Sequence, residues 1–305
     1  MDINLIIDNF LEYEKKLERA EKTLKLYKIE TTLFVKRYNI TTIDDIQILQ
    51  DIDFLVNTWL EDMKKDFAPS TVNKKKKYLS TFSNYLVTQG ILNVNKIKTI
   101  SNIKIDNHCI ETYTKSEIEN ILEYLDNKWM QEKNTFHKNV NLMYKTIFNV
   151  LYSLALRNEE VTKIRISDID WQTGILYVRC KGGKGEITNK SKLSNHVLSI
   201  VKQWLMVREN ISPATDNELL FISPKTKKGI TTEIIRLKMR EIKKELGIDG
   251  DKMIHTLRHT RASELIAKGV EVKKVSMYLH HSSQVTTERY YIHNTEEILE
   301  ELSEL

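Results

Sequence analysis

The chain has few of the residues that make tight turns. It contains 9 glycines and 3 prolines in 305 residues, about 4% where an average chain has roughly 12%. Many-stranded sandwiches and barrels need such residues between their strands, so this scarcity argues against those folds and favours long helices. Cysteine is scarce as well. Cys109 and Cys180 are too few for a disulfide framework or a cysteine-based zinc cluster.

Long hydrophobic runs and a targeting signal are also missing. No apolar stretch approaches the ~18–20 residues that cross a bilayer, and the opening MDINLIIDNF has acids where a signal peptide has a basic start. With 41% apolar and 29% charged residues, wholesale disorder is excluded. We expect a cytosolic protein without membrane contact, in about two domains.

The charge is unevenly distributed, although its net value is only +5. The tail 291–305 holds five glutamates and neither lysine nor arginine. Taken alone, each charge run is typical of a solvated helix face, but basic patches are also what binds phosphates. The patches comprise Lys74, Lys75, Lys76 and Lys77, then Lys225, Lys227 and Lys228, and the segment Arg236–Lys244.

The first hundred residues have helical hydrophobic periodicity. It predicts helices over about 3–18, 21–38 and 52–65. Pro69-Ser70-Thr71 predicts a further helix start with the serine as cap, and this helix should end near Gly90. The stretch 95–113 lacks a clear period, so we place a linker there and a domain boundary near 105.

The second part mixes helices with a short β region. Thr114 and Glu117 are spaced as a capping box at a helix start, and residues 136–156 form a strongly apolar, buried helix. The β-branched ILYVRC and the glycine turn KGGKG predict a small antiparallel sheet within 164–188. Helices return from about 194. The expected fold is therefore mostly α with a small antiparallel sheet.

Several residues in the second part are suited to phosphodiester chemistry. His255 and Arg258 share a helix face, Arg157 precedes Glu160 by three residues, and Lys181 lies at the glycine turn. Arginines neutralise a phosphorane, histidine and lysine transfer protons, and a tyrosine attacks phosphorus, all without metal or cofactor. The set is completed by His281 and Tyr290.

Each of these signals also has an ordinary explanation. An Arg-x-x-Glu pair is commonly a surface ion pair, and adjacent tyrosines commonly pack in a core. His255 and His259 have the i, i+4 spacing of metal ligands, but the basic residues beside them disfavour a divalent cation. KGGKG lacks the spacing of a nucleotide-binding loop and is better explained as a β-turn.

Four segments in order resemble the tyrosine recombinase (phage integrase) family, including its compact two-domain Xer-type members. The resemblance spans about 114–295, and residues 69–86 also resemble the family's N-terminal core-binding domain. It implies a helical, SAM-like core-binding domain over 1–105 and an α+β catalytic domain over 106–305. The four segments are ALRNEEV, CKGGKG, HTLRHTRA and LHHSSQVTTERY.

The resemblance implies a role for each site residue. Arg157 and Arg258 would clamp the scissile phosphate, and Lys181 would protonate the departing 5′ oxygen. His255 would be the base toward the tyrosine, and His281 would hydrogen-bond the phosphate. Glu160 would support Arg157, and Tyr290 would form a 3′-phosphotyrosyl link.

The chain departs from the family pattern at three places. Leu279-His280-His281-Ser282 stands where the family commonly has Leu-Gly-His-Ser, so either histidine is a candidate, with His281 favoured by its spacing to Tyr290. Tyr291 is the alternative nucleophile. Ile187-Thr188 replaces the usual Val-Pro.

The resemblance also implies partners. We expect double-stranded DNA carrying specific sites and a tetramer on two sites joined through the C-terminal helix. Accessory DNA-bending or directionality proteins are candidate further partners. No additional arm-site-binding domain is evident, and the protein would associate with the nucleoid. The alternatives are DNA relaxation of the type IB topoisomerase kind and non-catalytic DNA binding.

Overall fold

The computed structural model describes residues 1–105, 111–179, 189–213 and 217–280. The chain divides into two compact units, Met1–His108 and Cys109–Leu305. No helix among the described residues is long and apolar enough to cross a bilayer.

The N-terminal unit is built from helices around one apolar core. Phe10 and Phe82 are fully buried at its centre, with ring centroids 5.2 Å apart. The segment predicted as one helix over 52–65 is a π-helical stretch, Phe54–Leu60, that continues into an α-helix. The α-helices are α1 (Ile3–Lys16), α2 (Glu21–Arg37), α3 (Glu61–Asp66) and α4 (Pro69–Thr88), with 3₁₀ turns at Asp45–Gln50 and Lys96–Thr99.

The start of α4 differs from the prediction in its capping residue. Ser70 was predicted to cap the helix, and this is wrong: Ala68 is the cap position and Pro69 is the first helical residue. Proline suits that place because its fixed φ is already helical and the missing N–H would have no partner there. The predicted end is confirmed, since α4 stops at Thr88 and Gly90 follows with a φ of +70°.

The C-terminal unit consists of helices and a small sheet that pack around a larger apolar core. As predicted, α5 starts with a capping box in which Thr114 Oγ1 accepts the Glu117 N–H and the Glu117 carboxylate accepts the Thr114 N–H. The predicted buried helix is α6. The helices are α5 (Lys115–Gln131), α6 (Thr135–Ser153), α7 (Asn158–Val161), α8 (Asn195–Ile211), α9 (Thr232–Leu246), α10 (Ile254–Ala267) and α11 (Val272–Tyr278).

The predicted antiparallel sheet is present, with strands in the order β1 (Ile169–Asp170), β2 (Ile175–Val178) and β3 (Asn189–Lys192). Strand β3 lies beyond the predicted limit of residue 188. Its sequence NKSK has none of the β-branched or aromatic residues that mark a strand, and only Ser191 is buried. Ser191 pairs in register with the buried Leu176 of β2.

Candidate active site

Arg157 occupies the turn between α6 and α7. The carboxylate of Glu160, three residues on, accepts the backbone N–H of Arg157 at 2.8 Å and its Nη1 at 2.6 Å. Glu160 is buried, whereas about a third of the Arg157 side chain stays exposed. A buried charge is tolerated when it is paired and hydrogen-bonded, so this pair holds the guanidinium with one part available to a ligand.

Arg258 is almost completely buried on α10. Its Nη1 donates to the carbonyl of Ala155 at 2.7 Å, and its Nη2 donates to the carbonyl of Leu279. The same Nη1 lies 4.0 Å from the Glu160 carboxylate. Glu160 therefore lies between the two arginines. The structure thus brings together Arg157 and Arg258, the two residues predicted to clamp the phosphate.

The turns that receive the arginines have unusual backbone angles. Ala155 has a φ of +49° and His280 a φ of +54°, in the left-handed region that glycine enters without penalty and other residues rarely adopt. Ala155 supplies a carbonyl to Arg258, and the His280 carbonyl lies 3.5 Å from Arg157 Nη2. Such strain persists where surrounding contacts enforce it, and it concentrates at functional sites.

His255 lies one turn before Arg258 on α10, and its side chain lines a cavity of about 320 Å³. Partial burial lowers the pKa of His255 below its usual value, and the positive charges of Arg258, Arg236 and Arg157 lower it further. The imidazole is therefore neutral at pH 7, which is the form that can accept a proton.

The cavity is also lined by basic side chains that no catalytic motif in the sequence indicates. Lys163, Arg179 and Arg236 join Arg157 in its lining, opposed by Glu159 and Glu160. Arg236 belongs to a predicted basic patch, but Lys163 and Arg179 are not part of any sequence motif that predicts a site. The only signal for Arg179 was its place two residues before Lys181.

Arg179 is held by a buried acid. Its Nη2 and Nε donate to the two carboxylate oxygens of Asp168 at 2.6 and 3.1 Å. Asp168 is 1% exposed and also accepts the backbone N–H of Arg165. A bidentate pair of this kind fixes the guanidinium plane, so Arg179 is preorganised at the cavity wall.

The remaining predicted catalytic residues lie outside the described residues. These are Lys181, His281, Tyr290 and its alternative Tyr291. The other histidine candidate, His280, is described: its Nε2 lies 3.2 Å from Ser191 Oγ on β3. Its imidazole is therefore engaged with the sheet.

The four consecutive lysines on α4 are of two kinds: two bind partners within the protein, and two are exposed to solvent. Lys75 Nζ pairs with Glu30 at 2.6 Å, and Lys76 Nζ donates to the Ile100 carbonyl at 2.7 Å. Lys74 and Lys77 are exposed and three residues apart, so they share one helix face. Lys225, Lys227 and Lys228 are all exposed on the loop that follows Phe221.

The part of the chain that the structure describes contains no cluster of histidine, cysteine and acidic side chains able to hold a metal ion. His259, the proposed partner of His255, is largely enclosed. Burial, with the neighbouring positive groups, lowers the pKa of His259 to about 4.

Comparison with known proteins places this site in a family. The profile of the phage integrase family matches residues 111–297. A tyrosine recombinase of Thermosipho africanus (strain TCF52B) is 26% identical over 287 residues, covering 93% of this chain and 94% of that protein.

Two solved structures show the same fold. The XerH site-specific recombinase, bound to its palindromic difH substrate in a post-cleavage complex, superposes with a TM-score of 0.75 at 19% identity, over 92% of this chain and 79% of that one. A lambda integrase tetramer bound to a Holliday junction gives 0.66 at 16% identity, over 95% and 77%.

The family match and the similar relatives define a tyrosine-type site-specific DNA recombinase. The chain belongs to the phage integrase family. The predicted family, the mostly helical fold with a small sheet, and the enzyme class are confirmed. Site-specific recombination is favoured over relaxation or passive binding.

Proposed function

We propose that the chain cuts and rejoins DNA strands with Arg157 and Arg258 gripping the scissile phosphate. The Tyr290 oxygen forms a bond to phosphorus, and the bond from phosphorus to the 5′ oxygen breaks. His255 takes the tyrosine proton, and Lys181 gives a proton to the departing 5′ oxygen. His281 donates a hydrogen bond to the phosphate. Attack by a 5′ hydroxyl of the partner strand reverses these steps, so the ester conserves the bond energy.

The observation that carries this proposal is the joining of the two arginines by one buried acid. Glu160 accepts from Arg157 and lies 4.0 Å from Arg258, and the neutral His255 is one helical turn from Arg258. Preorganised cations aimed at a phosphate stabilise the charge that develops as the phosphorane forms. The neutral imidazole supplies the base beside them.

The other cations of the cavity suit the phosphates on either side of the scissile one. Lys163 is exposed, Arg179 is fixed by Asp168, and Arg236 lies on α9. We assign contacts with more distant phosphates to Lys74 and Lys77 in the core-binding domain (1–105) and to Lys225, Lys227 and Lys228 in the catalytic domain (106–305). Contacts of this type give affinity and register but carry no sequence information.

We further propose that four copies assemble on two sites through the acidic tail. Ile298, Leu299, Leu302 and Leu305 have helical spacing and would form the docking face on a neighbouring copy. Accessory DNA-bending or directionality proteins would act on this assembly, and the protein would work in the cytoplasm on the nucleoid.

Recombination between two DNA sites tests the proposed function. Duplexes that bind the Tyr290→Phe/Tyr291→Phe double variant are enriched from a randomised library and placed in pairs on a plasmid. The wild-type protein should exchange strands between the paired sites in EDTA without ATP, and Arg258→Ala should abolish exchange. Relaxation of the plasmid without exchange would indicate a topoisomerase, and binding without either would indicate a passive DNA-binding protein.

Sedimentation on a two-site duplex tests the assembly. The wild-type chain should sediment as four copies, and a chain ending at residue 295 should bind each site without joining them. Four-copy assembly by the shortened chain would contradict docking through the tail.

A further inference from the structure

His280 has a left-handed backbone conformation, which favours glycine over residues that have a β-carbon. Its φ of +54° brings the β-carbon close to backbone atoms, which glycine avoids because it has no side chain. A histidine at this position has a backbone cost that glycine would avoid, and a contact of its imidazole that glycine cannot make would offset that cost.

That contact is with the small sheet. His280 Nε2 lies 3.2 Å from Ser191 Oγ, a normal hydrogen-bond distance. Ser191 is the one buried residue of β3, and the hydrogen bond is partly shielded from water. Strand β3 begins directly after the segment 180–188, which contains Lys181.

The backbone of the same turn receives both arginines. The Leu279 carbonyl accepts from Arg258 Nη2, and the His280 carbonyl lies 3.5 Å from Arg157 Nη2. The turn after α11 is thus linked to the arginines through its carbonyls and to β3 through the His280 side chain.

Burial favours the neutral form of His280. Burial lowers the pKa of His280, and the positive charges of Arg258 and Arg157 act in the same direction, whereas the Glu160 carboxylate and a hydrogen bond with the Lys190 backbone raise it. A neutral imidazole suits a hydrogen bond with a serine hydroxyl, because each group can donate or accept.

We propose that His280 is a positioning residue that ties β3, through Ser191, to the turn that holds Arg157 and Arg258. The role rests on the proposed function, because it concerns the alignment of the arginines with strand β3 during DNA strand cleavage. His280 acts through these elements and has no assigned contact with DNA.

Two measurements on the full chain test the proposal. The first is covalent adduct formation on the library-selected duplex, nicked at successive positions so that cleavage traps the protein. The second is amide hydrogen exchange of β3 in the DNA-free protein.

The variants are His280→Gly, Ser191→Ala, their combination, and His280→Gln. The side-chain amide nitrogen of the glutamine can reach the position of the His280 Nε2 atom. Glu18→Gly is the matched control, since Glu18 is exposed and left-handed at a φ of +58° in the other unit.

His280→Gly and Ser191→Ala should each slow adduct formation about tenfold, the effect of losing one net hydrogen bond of about 1.4 kcal/mol. The double variant should be no slower than either single variant, because both remove the same contact. Exchange of β3 should accelerate in all three. His280→Gln should keep near wild-type rates, and Glu18→Gly should change neither readout.

The proposal would be overturned if adduct formation in the double variant slowed by the product of the two single-variant factors. A wild-type rate in His280→Gly would also overturn it. Unchanged exchange of β3 would show that the tie is absent whatever the cleavage rates. Failure of the wild-type protein to form any adduct is a separate result, since it would overturn the proposed function and the positioning role that rests on it. Thermal unfolding of each variant confirms that it is folded.

Discussion

At the scale of single residues, the site depends on a few buried polar groups. Glu160 is 6% exposed and Arg258 is 4% exposed, and they share one small polar cluster with Arg157. Removing one partner of a buried ion pair leaves the other charge without compensation, which costs far more than the loss of a surface pair.

Glu160→Gln is expected to reduce both stability and cleavage. The amide keeps one acceptor oxygen but removes the negative charge between Arg157 and Arg258, and the unfolding free energy should fall by about 3 kcal/mol. Denaturant unfolding and adduct formation provide the measurement. Glu119→Gln, whose 3.9 Å pair with Lys115 is exposed, should change stability by less than about 1 kcal/mol. Equal effects of the two variants would contradict the role given to Glu160.

Arg236→Ala is expected to move the acid limb of the cleavage profile to higher pH. The Arg236 charge lowers the pKa of His255, which keeps the imidazole neutral into mildly acidic solution. Without this charge the pKa rises, so His255 becomes protonated and inactive as a base at a higher pH. Single-turnover cleavage across pH measures the shift.

Arg240→Ala is the matched control for this experiment. Arg236 and Arg240 both lie beside Glu233 on α9, but only Arg236 lines the cavity. An equal shift in both variants would mean that His255 does not sense Arg236 directly.

At the scale of elements, helices are predicted from the sequence better than the sheet and the turns. The capping box at Thr114 and the bounds of α1, α2 and α6 follow from periodicity and local capping chemistry. Strand β3 does not, because NKSK becomes a strand only by pairing with β2. The left-handed residues Ala155 and His280 each follow the last turn of a helix. Neither is the glycine that commonly marks such an end, so the sequence does not indicate them.

The same distinction holds for the site. Arg157, His255 and Arg258 are predicted from the sequence because they lie in ordered motifs, and the structure brings them close together. Lys163 and Arg179 were missed because their place in the cavity depends on tertiary packing, in the case of Arg179 on the distant Asp168.

Thr114→Ala is expected to destabilise the catalytic domain by about 1 kcal/mol, because it removes the side-chain acceptor at the start of α5. The change should appear as a lower midpoint in thermal unfolding. Thr226→Ala removes a hydroxyl that makes no hydrogen bond among the described residues and should leave the midpoint unchanged. A midpoint shift as large in Thr226→Ala would rule out capping as the cause.

At the scale of the whole molecule, affinity for DNA should come from dispersed phosphate contacts. Net charge is only +5, so the placement of exposed cations matters more than their number. On α4, Lys74 and Lys77 are exposed, while the Lys75 ammonium is occupied by Glu30.

Lys74→Ala and Lys77→Ala should each weaken DNA binding and reduce the slope of log affinity against log salt by about one, since each removes one phosphate contact. Lys75→Ala should leave the slope unchanged, because its ammonium is committed within the protein. Binding isotherms at several salt concentrations measure these slopes. A slope change in Lys75→Ala equal to that in Lys74→Ala would contradict the division of the lysine run.

In the proposed mechanism a tyrosine of this chain becomes covalently joined to DNA, and this link can be trapped. The protein is incubated in EDTA with the nicked selected duplex, and the adduct is isolated under denaturing conditions and mapped by peptide mass. We expect an adduct on Tyr290 that is lost in Tyr290→Phe and retained in Tyr291→Phe. An adduct on Tyr291 would keep the chemistry and move the nucleophile by one residue. Absence of any adduct on DNA that the protein demonstrably binds would rule out covalent catalysis by a tyrosine.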